Sequence, residues 1–296
     1  MHNGIEEYLK KLKQALSGCD PATVQDALAD AEEHLRTAVD QAGRNQTDLP
    51  KGEALQQIIA EYGLPEEVAA AYQTLEARMV PSLAPAGRRD DRSPLRRFFS
   101  VVLDPRAYAS LLYMFFSLAT GIVYFTWAVT GISLSAGFAV LIIGLPFFAL
   151  FLLSIQGIAL VEGRIVEALL GIRMPRRPLF SRSHLGFWNR FKALFTDKRS
   201  WTTFIYMISM LPLGIIYFTL FVTFLSVGLA LMAQPITENV FDIPFFESNH
   251  TSYYLPNYLM PFVVIGGFLW IVISMHLAKA LGRLHGSLAK ALLVKE

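Results

Sequence analysis

Four side chains that can form hydrogen bonds recur at matching positions inside apolar stretches of this chain. Tyr124 and Thr126 lie in the segment GIVYFTWAVT, and Tyr217 and Thr219 lie in the similar segment GIIYFTLFVT. Hydroxyl groups in apolar helices commonly join neighbouring helices by hydrogen bonds. The alternative is a small cavity between the two copies that binds a lipid-like or apolar ligand, for which these four residues are the candidates.

The sequence carries no motif typical of an enzyme or a metal site. It contains no HExxH, no GxSxG and no cluster of Cys and His, so hydrolase and metal chemistry have no supporting residues. His34, in the sequence EEHL, would need a kinase domain to phosphorylate it, and no Gly-rich nucleotide motif is present. We therefore expect no enzyme activity, no cofactor and no metal ion.

Ionisable residues inside membrane helices usually mark ion or proton paths. In this sequence Glu162, His276 and Lys279 lie near the predicted ends of apolar stretches rather than within them. A proton-coupled transporter or an ion pump is therefore disfavoured. Glu162, Arg164 and Glu167 are expected to form ion pairs on a helix surface just outside the lipid.

Long runs without Asp, Glu, Lys, Arg or His place the hydroxyl residues in a membrane. The chain is 53% hydrophobic with a formal net charge of +2, and its charge-free runs cover 107–161, 200–237 and 251–275. A bilayer core requires about 20 apolar residues per helix, so the first run fits two spans and each other run fits one. The predicted spans are 109–132, 137–161, 203–232 and 257–278.

A duplication explains the matching positions of the hydroxyl residues. Residues 97–133 align without gaps with 190–226, and the identical pairs include Arg97/Arg190, Asp104/Asp197 and Tyr113/Tyr206. Each copy is followed by a second span, so both copies should enter the membrane from the same face. We therefore predict an all-α membrane domain built as a 2+2 parallel repeat, with a pseudo-two-fold axis along the membrane normal.

The distribution of charge predicts the orientation of this domain. The segment 162–200 between the copies contains nine Arg and Lys residues, whereas the loop 233–255 contains none. Basic loops stay in the cytoplasm, which places both termini and 162–200 on the cytoplasmic side and 233–255 outside. Within the basic segment, the amphipathic stretch 185–201 is typical of a helix at the membrane interface.

The first 80 residues differ in composition from the rest of the chain. Apolar residues recur there at helical spacing, Asp20-Pro21 is typical of a helix start, and Gly63 is typical of a helix end. The pattern predicts a cytosolic four-helix bundle over 1–80, a linker over 81–96 and the membrane domain over 97–296. With 14 acidic and 7 basic residues, the bundle should not bind nucleic acid directly.

The predicted bundle resembles a known family over about residues 3–77. The resemblance rests on three sequences: IEEYLKKL, DAEEHL and EYGLPEEVAAAY. The segment resembles the HAAS (DUF1700) family of small helical domains at the front of bacterial membrane proteins. The resemblance implies a cytosolic domain that acts on a transcriptional regulator, for which a PadR-type protein is one suggestion.

A second resemblance covers roughly residues 97–293. It rests on four sequences in the membrane half: FTWAVTGIS, LIIGLP, EGRIVEALLG and DKRSW. This half resembles the "putative sensor" family of bacterial four-helix membrane domains, which often serve as input modules of histidine kinases. The resemblance implies a sensor domain in the bacterial inner membrane.

These features predict a non-enzymatic sensor that relays the state of the membrane or envelope to a cytosolic regulator. Membrane lipids and that regulator are the expected partners. A second copy of the chain, forming a homodimer, is a further candidate partner. The alternative is a small membrane transporter or lipid-handling protein. A specific lipid bound between the repeats would favour the alternative, and a neighbouring kinase or regulator gene would favour the sensor.

Overall fold

Helices make up most of the part of the chain that the computed structural model describes, which comprises residues 2–44, 51–78, 93–139, 144–176, 196, 198–248 and 251–294. They are α1 (His2–Ala15), α2 (Pro21–Arg44), α3 (Lys51–Tyr62), α4 (Pro65–Arg78), α5 (Pro94–Phe99), α6 (Pro105–Ala139), α7 (Gly144–Leu170), α8 (Lys198–Phe241) and α9 (Met260–Leu293). A 3-10 turn, Ser100–Leu103, joins α5 to α6, and β1 (Phe246–Ser248) pairs antiparallel with β2 (Thr251–Tyr253). The predicted all-α protein, with four long apolar helices after a helical N-terminal region, is confirmed.

The chain divides into two compact units. The first comprises Met1–Ala84, Trp127–Met207 and Ser287–Glu296, and the second comprises Pro85–Thr126 and Ile208–Gly286. Most of the predicted linker 81–96 and most of the interfacial stretch 185–201 lie outside the described residues.

Helices α1 to α4 share one apolar core in the first unit. Residues spaced by three or four positions on α1 and α2 face each other, as amphipathic helices require. Asp20 begins α2, because its Oδ1 accepts the N–H of Ala22 at 2.9 Å, and Gly63, with φ of +111°, ends α3. The core residues are Ile5, Tyr8, Leu12, Leu16, Ala27, Ala31, Leu35, Leu55 and Ala69.

The four apolar helices are longer than the predicted spans. Helix α7 continues from 161 to Leu170, and α9 continues from 278 to Leu293. The loss of apolar character ends a predicted span, but Ala, Leu, Glu, Lys and Arg are strong helix formers and extend the helix beyond it. The 44 residues of α8 correspond to about 66 Å of helix, well beyond a hydrocarbon core of about 30 Å.

Equivalent residues of the duplication meet where α6 contacts α8 in the second unit. A Cβ atom at Gly121 would lie 2.6 Å from the carbonyl oxygen of Met210, and one at Gly214 would lie 2.5 Å from that of Ser117. Gly121 aligns with Gly214 and Ser117 aligns with Met210 in the duplication. The contact is therefore reciprocal, as a local two-fold relation between the copies requires.

The direction of this contact differs from the predicted parallel repeat. Later residues of α6 meet earlier residues of α8, and Phe115 packs on Phe218 with ring centroids 5.9 Å apart, so the two helices run antiparallel here. The parallel direction was predicted because each copy contains two predicted membrane spans, so that both copies would enter the membrane from the same face. The glycines allow the two backbones to approach each other closely at this contact.

The approach to α6 packs along α9 in the second unit. Val101 and Ala107 share an apolar cluster with Val272 and Met275. Close by, Lys279 Nζ donates to Asp104 Oδ2 at 2.6 Å. These contacts fix the start of α6 against the second helix of the other copy.

Lowering the pH should weaken this attachment of α6. Burial raises the pKa of Asp104, but hydrogen bonds from Lys279 and the Arg106 N–H lower it more, so the pKa lies below its usual value of 3.8. The pair therefore contributes stability that is present above pH 3.8 and is lost as the pH falls through the folded-state pKa. We expect Asp104→Asn to flatten the acid side of the stability profile measured by thermal unfolding in detergent. Glu61→Gln, at an exposed carboxylate of α3, is the control, and an equal flattening there would contradict the assignment.

Candidate functional site

The structure separates the four predicted hydroxyl residues into two groups. Tyr124 and Tyr217 are buried, at 6% and 7% exposure, whereas Thr126 and Thr219 are exposed. Two residues along a helix correspond to a rotation of about 200°, so each Tyr and its neighbouring Thr face opposite sides. Only the tyrosines are placed to contact other helices, and their role in ligand binding stays a prediction.

Tyr217 belongs to a buried polar cluster centred on His285 of α9. Tyr113 Oη lies 2.7 Å from His285 Nε2, and Tyr217 Oη lies 3.4 Å from His285 Nδ1. His285 and Tyr113 are each 1% exposed. A neutral imidazole has one donor and one acceptor nitrogen, and a hydroxyl can play either part, so both tautomers satisfy both ring nitrogens. We call Tyr113, His285 and Tyr217 the histidine cluster.

A second buried pair involves the residue equivalent to Tyr113 in the duplication. In the first unit, Tyr206 Oη donates to Glu162 Oε1 at 2.8 Å, and both residues are 1% exposed. Each copy of this tyrosine therefore binds a buried ionisable side chain, His285 in one case and Glu162 in the other. Such groups are costly among apolar helices and are retained where they serve a function.

Sequence analysis missed the histidine cluster for an identifiable reason. The predicted fourth span ends at 278, so His285 falls outside it and was not among the candidate residues. The expectation that Glu162 lies on the helix surface is also corrected, because this residue is 1% exposed and accepts a hydrogen bond from Tyr206. The identity of Tyr113 and Tyr206 between the copies was the available signal, since a polar aromatic side chain repeated within apolar helices calls for a partner.

Glu167 forms the ion pairs at the end of α7. Its Oε2 lies 3.2 Å from Arg164 Nη1, as predicted for that pair, and its Oε1 lies 2.9 Å from Arg176 Nη2. The Glu167 side chain is 11% exposed, whereas the Arg176 side chain that it binds is 43% exposed. The chain after α7 is thereby fixed to the last turns of that helix.

The N-terminal bundle contacts the ends of two apolar helices within the first unit. Asp20 Oδ2 accepts a hydrogen bond from Lys290 Nζ of α9 at 2.5 Å, and Asp26 Oδ1 accepts the backbone N–H of Arg176 at 2.6 Å. Asp20 lies directly before α2, and Asp26 lies in its first two turns. We call these two bonds the docking contacts.

The face of α2 that carries Asp26 is buried outside the bundle core. Ala22 and Ala29 are 0% and 1% exposed, lie about one turn to either side of Asp26, and do not belong to the core of α1 to α4. Small residues allow a close approach of neighbouring segments. Helix α2 therefore uses one face for the bundle and another for the rest of the first unit.

The described residues show no other arrangement suited to chemistry. They contain no group of three or more His, Cys, Asp or Glu that could hold a metal ion. Burial raises the pKa of the Cys19 thiol, and the nearby Glu76 raises it further. A thiol with a raised pKa is a poor nucleophile at neutral pH, so this cysteine does not resemble a catalytic one.

Two family models match the chain. The model described as "Putative sensor" matches residues 113–293, more than half of the chain, and the model described as HAAS matches residues 7–71. No curated protein matches the chain. No solved structure matches it either.

Proposed function

Because the chain belongs to the "Putative sensor" family and carries a HAAS domain, we propose that it is a non-enzymatic membrane sensor. In this proposal, a change in the packing of the apolar helices is passed to the N-terminal bundle, which acts on a cytosolic regulatory protein. A PadR-type regulator is the suggested partner, membrane lipids surround the helices, and the protein resides in a bacterial inner membrane. The bundle does not bind DNA directly, because its net charge repels phosphate.

The docking contacts are the observation that carries this proposal. They join the start of α2 to the last turn of α9 and to the segment that follows α7. Charge-assisted hydrogen bonds are short and directional, so a shift of either helix end must move α2 or break a bond. Helix α2 supplies much of the bundle core, and its movement therefore changes the surface that a partner would bind.

Deleting residues 1–77 tests the relay directly. We expect cells carrying the truncated protein to show the same genome-wide expression changes as cells lacking the whole protein, while the truncated chain still inserts in the membrane. An expression profile identical to that of wild-type cells would exclude signalling through the bundle.

A milder variant tests the docking contacts themselves. Lys290→Glu replaces the cation that binds Asp20 with a second carboxylate, which Asp20 repels. We expect this variant to shift the expression profile toward that of the truncation. Arg283→Glu, on an exposed face of the same helix, is the matched control and should behave as wild type. Equal effects of the two variants would show that charge at the end of α9, rather than the contact with Asp20, matters.

Cysteine labelling in intact cells tests the orientation. Arg and Lys each cost about 2.5–3.5 kcal/mol at the centre of a bilayer, so we expect the basic segment 162–200 to stay inside. A cysteine at Ser248 should react with a membrane-impermeant reagent, and a cysteine at Ser181 should not. The reverse pattern would overturn the orientation. Protection of both would place the two loops on the same face and would also contradict the proposed orientation.

A further inference from the structure

Arg173 is a buried cation for which the described residues leave two guanidinium nitrogens without a hydrogen-bond partner. The residue is 9% exposed, and its Nε and Nη1 atoms are buried without any hydrogen-bond partner in the part of the chain that the structure describes. Arginine keeps its charge at any physiological pH, so it cannot escape the cost of burial by losing a proton. An unpaired buried charge destabilises the folded protein, and an anion at this place would offset that cost.

The segment around Arg173 is held firmly on both sides. Gly171, with φ of +68°, ends α7, and the chain turns back so that Met174, 1% exposed, packs against Gly163 of the same helix. Three residues after Arg173, the backbone N–H of Arg176 is bound by Asp26 of α2. Arg173 therefore lies in a segment enclosed between α7 and α2.

The carboxylates that contact this segment are already engaged by other groups. Glu167 binds the guanidinium groups of Arg164 and Arg176, and Asp26 accepts the Arg176 N–H. Neither of them forms an ion pair with Arg173. The charge of Arg173 is thus left for a group that is not part of the described chain.

Helix α2 presents a second unsatisfied donor, Thr23, about one turn before Asp26, the residue that contacts this segment. Thr23 is 0% exposed, and its Oγ1 has no hydrogen-bond partner among the described residues. Thr23 and Asp26 are three positions apart and share one face of α2. A guanidinium and a hydroxyl on facing elements can both donate to the oxygens of one oxyanion.

We propose that Arg173 binds the phosphate group of an anionic ligand, with the Thr23 hydroxyl as a second donor. Arginine suits phosphate because its planar donors match the arrangement of the phosphate oxygens. The segment directly follows the candidate span Pro146–Leu170, and the phosphates of membrane lipids lie at the ends of membrane spans. An anionic phospholipid and a free phosphate compound share this chemistry, and the experiment separates them. Binding at this site is independent of whether the bundle signals.

The test measures the thermal unfolding of the full chain in a phosphate-free maltoside detergent. Phosphatidylglycerol, phosphatidylcholine or inorganic phosphate is added in separate titrations. We expect phosphatidylglycerol to raise the unfolding midpoint of the wild type, because a ligand that binds only the folded state stabilises it. A rise with inorganic phosphate at least as large would assign the site to a soluble phosphate compound. No rise with either anion, or a rise equal to that with phosphatidylcholine, would overturn the proposal.

Variants connect the response to the site. Arg173→Gln should abolish the stabilisation by the anion and, without added anion, should unfold no earlier than the wild type because the unpaired charge is gone. Thr23→Val should weaken the apparent affinity about tenfold or less, as loss of one hydrogen bond implies. Arg164→Gln, at a half-exposed position on α7, is the control and should respond as the wild type does.

An unchanged anion response in Arg173→Gln would also overturn the proposal. If this variant does not fold, Arg173→Lys replaces it. Lysine keeps the charge but lacks the planar group, so we expect a several-fold weaker response to the anion. A response of Arg173→Lys equal to that of the wild type would contradict recognition by the guanidinium.

Discussion

Replacing Gly121 or Gly214 with alanine is expected to destabilise the protein by about 1–3 kcal/mol, the usual cost of inserting a methyl group into a packed interface. In both cases the new Cβ would meet backbone atoms, 2.6 Å from the Met210 carbonyl oxygen or 2.5 Å from the Ser117 carbonyl oxygen. Backbone cannot rotate away as a side chain can, so α6 and α8 must separate. The measurement is the unfolding midpoint in detergent, for which a chain of this size moves by roughly 2–4 °C per kcal/mol.

Two other glycines provide matched controls on apolar helices of the same protein. Gly137 of α6 and Gly266 of α9 have no atom within 4 Å of an added Cβ among the described residues. Alanine is the better helix former by about 0.5–1 kcal/mol, so Gly137→Ala and Gly266→Ala should leave the midpoint unchanged or raise it. A loss of stability at these positions equal to that at Gly121 would show that the reciprocal contact has no special role.

The double variant tests whether the two glycines act at one interface. Once Gly121→Ala has separated the helices, Gly214→Ala has less contact left to disrupt. The combined loss should therefore be smaller than the sum of the two single losses, as is usual for residues that share a contact. A strictly additive result would mean that the two contacts form independently.

Local patterns in the sequence were sufficient for much of the fold. The start of α2 at Asp20 and the end of α3 at Gly63 depend on the conformational preferences of neighbouring residues, which a sequence contains directly. The four apolar helices follow from long charge-free runs for the same reason. The duplication also identified Gly121 and Gly214 as equivalent positions, although it could not show that they meet the opposite helix.

The polar clusters depended on information that the sequence pattern does not hold. His285 lies in a part of α9 that is less apolar, and only its contact with Tyr113 shows that it is buried. Glu162 lies beside basic residues in the sequence, which favours a surface position, yet it is buried and accepts a hydrogen bond from Tyr206. Pairings between distant residues depend on the direction and depth of helix packing, and this is also where the predicted parallel order differed from the structure.

Replacing His285 is expected to have the largest effect within the histidine cluster. His285→Phe retains a ring of similar shape but leaves the hydroxyls of Tyr113 and Tyr217 without this partner. Each unsatisfied buried hydroxyl costs about 1–3 kcal/mol. We expect a clear fall in the unfolding midpoint, and His285→Gln should restore part of it because glutamine can both donate and accept. No difference between the two variants would show that the ring packs without a polar role.

The two tyrosines of this cluster should differ in their contributions. Tyr113 Oη lies 2.7 Å from the imidazole and Tyr217 Oη lies 3.4 Å from it, so Tyr113→Phe should cost more stability than Tyr217→Phe. Hydrogen bonds between membrane helices average about 0.6 kcal/mol and reach about 1.7 kcal/mol, which sets the range for both. Tyr108→Phe, at a half-exposed hydroxyl that donates to the Val102 carbonyl, is the control on α6.

The same variants separate a structural role of Tyr217 from a sensing role. If Tyr217 only joins helices, Tyr217→Phe should lower the unfolding midpoint slightly and leave the expression profile of the cells unchanged. If Tyr217 and Tyr124 line a sensing cavity, the phenylalanine variants should alter the expression profile while stability is nearly retained. The bond to His285 favours the structural role, and we expect the first result for Tyr217. An altered expression profile at unchanged stability would instead identify the histidine cluster as part of the site that detects the signal.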